Sequence, residues 1–463
     1  MAWTASGAAA AVRHAPHTSS AGGGYGGGGP GSAVSAASGA SGSDAASGAG
    51  GAGVRRPTSR AVNRFGFFTA DDNDEDARSG PSDEAAAAAP TPVTRAEARR
   101  ENARTEKWRV MLANWGVFTR RHPATVKRRV RKGIPDSLRG IVWPVLAGGD
   151  ELARRHPSMY RRLLMAAPRE DDFAVIRNDL FRTFPRHEQF KEEGGPGQLA
   201  LMRVLRAYAA YDTEVGYCQG MAFVAALLIT YMPEEIAFWT LVAVLRRRGL
   251  RGHYLPQFPL YLEHVAVLMG LLAKHEPAIY RLFEAESIGF TMFGMQWLLT
   301  LFAHSFPFEF VVRVVDVVCL EGHKALLRVV VAVLRLLRQR LLDTPGHALL
   351  KALRTLPAKL NADEVMSKAM AISVTSEEVM KLRSAFRTST EGRVARRECG
   401  RKVAARKAAA AARGRIAAEQ AAEAGDEATA AAWRETATAF DRDAGLDDPE
   451  AVFWADSATS CLG

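Results

Sequence analysis

The stretches "FPFEFVVRVVDVVCL" (306–320) and "ALLRVVVAVLRLLRQRLL" (325–342) decide the fold class. Their valines tempt a strand assignment, because β-branched residues suit a pleated surface. Length argues against it: buried strands run to about 4–8 residues, and both segments are longer. Arginines also interrupt the valines at helical spacing, so both segments read as buried helices. Outward from there, a 3.6-residue period holds from Gly133 to about residue 386. Leu201, Val204, Leu205 and Tyr208 form one apolar stripe; Leu262, Val265, Met269 and Leu272 form another. Pro233, Glu234 and Glu235 suit a helix start, where a missing N–H costs nothing and acids meet the positive end of the dipole. The pattern holds no alternating strands joined by hairpin turns and no repeat of fixed period. An all-α domain is expected.

The flanks read differently. Residues 1–62 are dominated by Gly, Ala and Ser, including "GGGYGGGG", and cannot bury enough apolar surface to offset chain entropy. Their acid-poor start shares features with a transit peptide, but scarce arginine and the glycine run read as plain disorder. A short aromatic patch, "NRFGFF" (63–68), precedes an acidic, alanine-rich linker to about residue 94. A helical lead-in follows, with Trp108, Met111, Leu112 and Trp115 on one face. Beyond residue 390 the chain is alanine-rich with few large apolar residues, which fits a solvated helix or weak coiled coil. The final residues read as disordered, with Phe453 and Trp454 as a docking spot.

The formal charge is +11, with much of the excess in "VKRRVRK" (126–132) and "RVARRECGRKVAARK" (393–407). Neither run is interleaved with aromatics for base stacking, so nucleic acid is disfavoured and an anionic membrane or acidic partner fits better. No stretch reaches the ~18 apolar residues of a membrane span. Cys218, Cys319, Cys399 and Cys461 show neither CxxC pairing nor metal-ligand spacing, which suits a reducing cytoplasm, and Cys461 makes no prenylation box. A P-loop lysine, an HExxH helix and a nucleophile elbow are all missing, and His187, His264 and His304 stand singly as packed or solvated residues. An ordinary hydrolase is disfavoured.

Three stretches stand out. In "GIPDSLRGIVWPVLAG" (133–148) Asp136 suits a helix cap, and Arg139 and Trp143, four apart, are placed to stack cation on ring. In "IRNDLFRTFPRH" (176–187) Ile176, Asp179 and Arg182 share one helix side, and Pro185 ends the helix within a turn. Asp179 and Arg182 fit a surface ion pair, or an arginine held outward by an aspartate. In "EVGYCQGMAFVAALLI" (214–229) Gly216 and Gly220 bracket Tyr217, Cys218 and Gln219 ahead of a long apolar helix. Gln219 there either caps that helix or presents its amide outward.

The ordered set Arg139…Trp143, Ile176…Asp179…Arg182 and Tyr217…Gln219 resembles the TBC-domain family of Rab GTPase-activating proteins. "GIPDSLRG", "RTFPRH", "GYCQGM", "EEIAFWTLV" and "RVVDVVCLEG" are similar to that family's blocks in their order, from about residue 100 to 360. One departure is Val315, where the family usually has Trp; Arg313 and Asp316 remain, and looser packing of the C-terminal half is the expected effect. The resemblance implies a TBC-type multi-helix domain: head and linker 1–94, lead-in 95–132, TBC domain 133–325 with its C-terminal helices 326–386, and a basic tail 387–463.

By the same resemblance, Arg182 and Gln219 are catalytic fingers donated to a Rab-family GTPase. Asp179 holds the arginine, Tyr217 shapes the glutamine turn, Ile176 packs, and Arg139 and Trp143 are structural. The chain is then an activator acting in trans and not itself a hydrolase. It has no cofactor of its own, because GTP and Mg²⁺ come with the partner. A cytoplasmic protein with peripheral contact to anionic endomembrane is implied; the alternative is a TBC-like adaptor that binds without catalysis.

Overall fold

A computed structural model describes residues 62–68, 95–166 and 170–423. The Gly/Ala/Ser-rich head, the linker, and the tail with Phe453, Trp454 and Cys461 lie outside the described residues. The lead-in forms α1 (Arg95–Ala113), α2 (Trp115–Arg121) and α3 (Pro123–Lys132). Next come α4 (Arg139–Ala147), α5 (Gly149–Arg155), α6 (Met159–Met165), α7 (Glu170–Leu180), α8 (Pro196–Tyr211), α9 (Met221–Ile229) and α10 (Glu234–Arg246). The rest of the chain builds α11 (Pro259–His275), α12 (Pro277–Ala285), α13 (Gly294–Leu299), α14 (Phe308–Glu321) and α15 (His323–Leu342). It ends with α16 (Leu349–Thr355), α17 (Ala362–Ala371), α18 (Ser376–Thr388) and α19 (Thr390–Glu423). Among the described residues the only β features are two isolated bridges, Val62 with Phe68 and Phe67 with His187. The fold is all-α, as the periodicity predicts.

The two valine-rich segments are α14 and α15, packed on each other and buried along most of their length. Every residue of α9 is buried, which explains its lack of a polar face; it lies between α8 and α10. Pro233 caps α10, with Glu234 and Glu235 in its first turn. The lead-in breaks earlier than its pattern suggests. Asn114 separates α1 from α2, its amide donating to the Val110 carbonyl at 3.1 Å, the local bond by which Asn competes with a helix.

Asp316 on α14 is the hub of the domain. Its fully buried carboxylate accepts from Arg139 Nε at 3.1 Å, Trp143 Nε1 at 2.9 Å, Arg313 Nη1 at 3.2 Å and the Ile134 amide at 3.1 Å. A buried carboxylate is tolerated only with such partners. This corrects two expectations. Arg139 does not stack on Trp143: both side chains turn to Asp316, and the arginine instead lies 6.0 Å from the Tyr231 ring. Asp136 does not cap α4, because its carboxylate is taken by Arg139 and by Tyr231 Oη at 2.8 Å. Val315 is buried in the core. Trp143 packs edge-on against Tyr231 at 4.8 Å, and Tyr231 stacks on Phe308 at 6.5 Å, so the hub reaches an aromatic cluster.

Candidate functional site

Two loops meet beside that cluster. The first follows α7. Ile176 is buried, Asp179 is buried one turn on, and Arg182 lies two residues past the helix end, in the turn before Pro185. The Arg182 side chain is 49% exposed and its guanidinium pairs with Asp179 Oδ1. Asp179 is held in turn: Tyr217 Oη donates to its Oδ2, and Thr183 Oγ1 donates to its carbonyl at 2.6 Å. The chain then passes through Phe184 at φ 49°, a left-handed conformation that an aromatic residue rarely adopts. Its buried ring meets Phe223 at 5.5 Å and Phe308 at 5.8 Å, both edge-on.

The second loop joins α8 to α9. Asp212, at the end of α8, receives Arg251 Nε at 2.6 Å and Nη2 at 2.8 Å, and Arg251 also reaches Glu214 at 2.7 Å. Burial pushes the Asp212 carboxyl up, but Arg251 and Arg246 outweigh it and hold the group at about 2. Gly216 (φ 61°) and Gly220 (φ 101°) then make two left-handed corners that favour glycine. Between them Tyr217 points back to Asp179, and Gln219 is exposed. The cap of α9 is Gly220, with no side-chain bond, so Gln219 is not spent on the helix. With the amide oriented by its neighbours, Gln219 Oε1 accepts from Arg182 Nη2 at 2.6 Å and Nη1 at 3.0 Å.

Ile176, Asp179, Arg182, Tyr217 and Gln219 thus gather at one place, with Arg182 and Gln219 facing out. Arg139 and Trp143 belong to the Asp316 hub. Burial, with Asp179 alongside, pushes the Tyr217 hydroxyl far above its ordinary range, so it remains a donor. Burial and then the Arg182 charge hold His304 below the usual imidazole range. Burial likewise pushes the Cys218 thiol up to about 12. Among the described residues no group of His, Cys, Asp and Glu is arranged to hold a metal ion, and no helix is long and apolar enough to cross a membrane.

Sequence reasoning missed the support behind the second loop. Arg406 Nη1 on α19 donates to the carbonyls of Glu214 at 2.9 Å and Val215 at 2.5 Å, and Lys407 pairs with Glu214 at 2.5 Å. The basic segment 393–407 is therefore docked at one end and not wholly solvated; the signal was Ala395 and Cys399, buried four apart on one face.

The helical architecture, the Asp316 hub and the paired loops define the class. Residues 136–342 match the model of the Rab-GTPase-TBC domain. Among individual proteins, it is 35% identical over 287 residues to Carabin of Mus musculus, spanning 60% of this chain and 63% of that one. It is 37% identical over 232 residues to TBC1 domain family member 10A of Mus musculus, covering 50% of this chain and 46% of that protein. The chain spans less than two thirds of the length of these curated relatives. A crystal structure of the Chlamydomonas flagellar RabGAP TBC domain is similar at 26% identity and a TM-score of 0.51, covering 60% of this chain and 97% of that one.

Proposed function

We propose that this protein is a GTPase-activating protein for a Rab-family small GTPase, to which it donates Arg182 and Gln219 in trans, and that it regulates vesicle traffic. One observation carries the reading. Two exposed side chains of the required types, on separate loops, converge within hydrogen-bond distance over buried anchors. The relatives named for Rab-GAP and TBC domains support it.

In phosphoryl transfer, charge spreads over the oxygens around the γ-phosphoryl, and a permanently charged planar guanidinium stabilises it. Asp179 aims that guanidinium and Tyr217 fixes Asp179 from the other loop, so one carboxylate sets the spacing of both loops. Gln219 carries a donor and an acceptor, which suits it to hold the attacking water in line. At rest Gln219 caps the arginine; on docking, both exchange that contact for the partner's nucleotide and water. GTP and Mg²⁺ arrive with the partner as part of the substrate, and this chain acts as an activator and not as a hydrolase. Exposed Arg393, Arg396, Arg397, Arg401 and Lys402 would face an anionic endomembrane from the cytoplasmic side.

The test is a GTP-hydrolysis screen of the full chain against a panel of Rab GTPases. Stimulation of one or a few members is the expected result. Binding to GTP-loaded Rab without stimulation across the panel would replace this reading with the adaptor.

A further inference from the structure

The aromatic patch of residues 62–68 has no part in the function above, and the sequence alone leaves it as a short patch between the head and the linker. It is instead a closed turn. Asn63 Oδ1 accepts from the amides of Phe65 at 2.9 Å and Phe67 at 3.1 Å, and the Asn63 amide donates to the Phe67 carbonyl at 2.8 Å. Gly66 provides the corner at φ 87°. The turn projects Phe67, fully buried, into a socket of Phe184, His187 and Phe308, with ring centroids 5.7, 4.8 and 5.1 Å away.

What the turn grips is the backbone just after Arg182. The Phe68 amide donates to the Arg186 carbonyl at 3.0 Å, and the Glu188 amide donates to the Gly66 carbonyl at 2.8 Å. His187 is fixed on both sides: Nδ1 accepts from the Gln189 amide at 3.1 Å, so Nε2 carries the hydrogen and donates to the Phe65 carbonyl at 2.8 Å. At the rim, Arg64 pairs with Glu309, and Lys191 lies 4.2 Å from the Phe68 ring. The fit is close, since a Cβ on Gly66 would sit 2.8 Å from His187 Nε2. The gripped segment contains Phe184 in its left-handed conformation, which persists only where its surroundings hold it. Phe67 against the Phe184 ring is one such hold, two residues from Arg182.

We infer that residues 62–68 are a clamp that sets the pose of the Arg182 turn, with Phe67 as the positioning residue. This rests on Arg182 being the donated arginine. A finger must be held to within a fraction of an ångström to stabilise transferring charge. Asp179 holds the side chain, while the clamp holds the main chain that carries it.

The experiment uses full-length parent, Phe67→Ala, Gly66→Ala and Phe67→Leu, read in two ways. Amide hydrogen exchange should rise about tenfold or more over residues 183–190 in the first two variants, while α9 exchanges as in the parent. In single-turnover hydrolysis with the responsive GTPase, the rate at saturating activator should fall about tenfold, with half-saturation moving less than twofold. Phe67→Leu, and a peptide of residues 60–70 added to Phe67→Ala, should restore much of both. Unchanged exchange at 183–190 overturns the clamp. So does raised exchange with an unaltered maximal rate, or a loss confined to affinity. If the parent stimulates no GTPase, the donated-arginine reading fails and the positioning role falls with it; that failure is distinct because the parent itself is inactive.

Discussion

Replacing Arg182 by alanine separates chemistry from folding, because the two costs differ widely. A donated arginine contributes roughly 10³–10⁵ in rate, which is about 4–7 kcal/mol of transition-state stabilisation. Its share of the fold is smaller. The side chain is 49% exposed, so its pairing with Asp179 is worth about 1 kcal/mol or less after solvent screening. Leaving the buried Asp179 carboxylate with Tyr217 as its remaining side-chain donor costs about 1–3 kcal/mol more. The sum, about 1–4 kcal/mol, is below the 5–15 kcal/mol typical of a domain, so Arg182→Ala should fold and melt a few degrees lower. Single-turnover GTP hydrolysis on the best partner, with melting curves alongside, should then show at least a 10³-fold loss of stimulation. Arg182→Lys should recover less than tenfold, because an ammonium lacks the planar fork. Asp179→Asn should fall between, losing about tenfold as the arginine's pose loosens. A folded Arg182→Ala protein that stimulates within threefold of the parent would refute the assignment.

Gln219→Ala should slow stimulated hydrolysis by at least about a hundredfold while keeping most of the affinity for GTP-loaded partner, as titration calorimetry can check. Asp316→Asn should strand Arg139 and Arg313 without their buried counter-charge, costing about 3–5 kcal/mol and roughly 10 °C in Tm, a drop that Arg182→Ala should not match. Acid should destabilise the fold through buried histidines: burial holds His187 and His323 at about 4 and His253 at about 3, with His264, which touches both His253 and His323, also lowered. The unfolded chain takes up protons first, near pH 6.5, so stability is full above that value and falls as pH drops toward 4, by about 1–2 kcal/mol per histidine at pH 5. A Tm equal at pH 7.5 and pH 5 would contradict this. Neutralising Arg393, Arg397 and Arg401 should weaken binding to anionic liposomes with no change in Tm, since these arginines are exposed; unaltered binding would remove the membrane contact.

Local pattern carried the helices because each buries an apolar stripe that recurs at its own period. Leu201, Val204, Leu205 and Tyr208 were legible for that reason. Arg182 and Gln219 were visible as exceptions, polar residues at points where helix and glycine corner leave them outward. What stayed hidden depends on partners distant in sequence. Asp316 gathers Arg139 and Trp143 from 177 and 173 residues away, so the four-residue spacing of that pair suggested the wrong contact. Arg406 meets Glu214 across 192 residues. Phe67 lies in a six-residue aromatic patch between a head that cannot fold by composition and an acidic linker, and its socket of Phe184, His187 and Phe308 is assembled from residues far along the chain.

That docking also fixes an order of events during synthesis. Arg64 and Glu309, at the clamp's rim, are 245 residues apart, and His187 meets Phe65 across 122. A ribosome adding about 5–20 residues per second makes the aromatic patch roughly 12–50 s before its last partner. Phe65, Phe67 and Phe68 therefore spend that interval without their complete socket, as an apolar handle on the growing chain. Closing so long a loop also makes this a slow contact to form. If residues 62–68 clamp the Arg182 turn as inferred, that turn is fixed late, and newly made chains should show raised amide exchange over residues 183–190 before they mature.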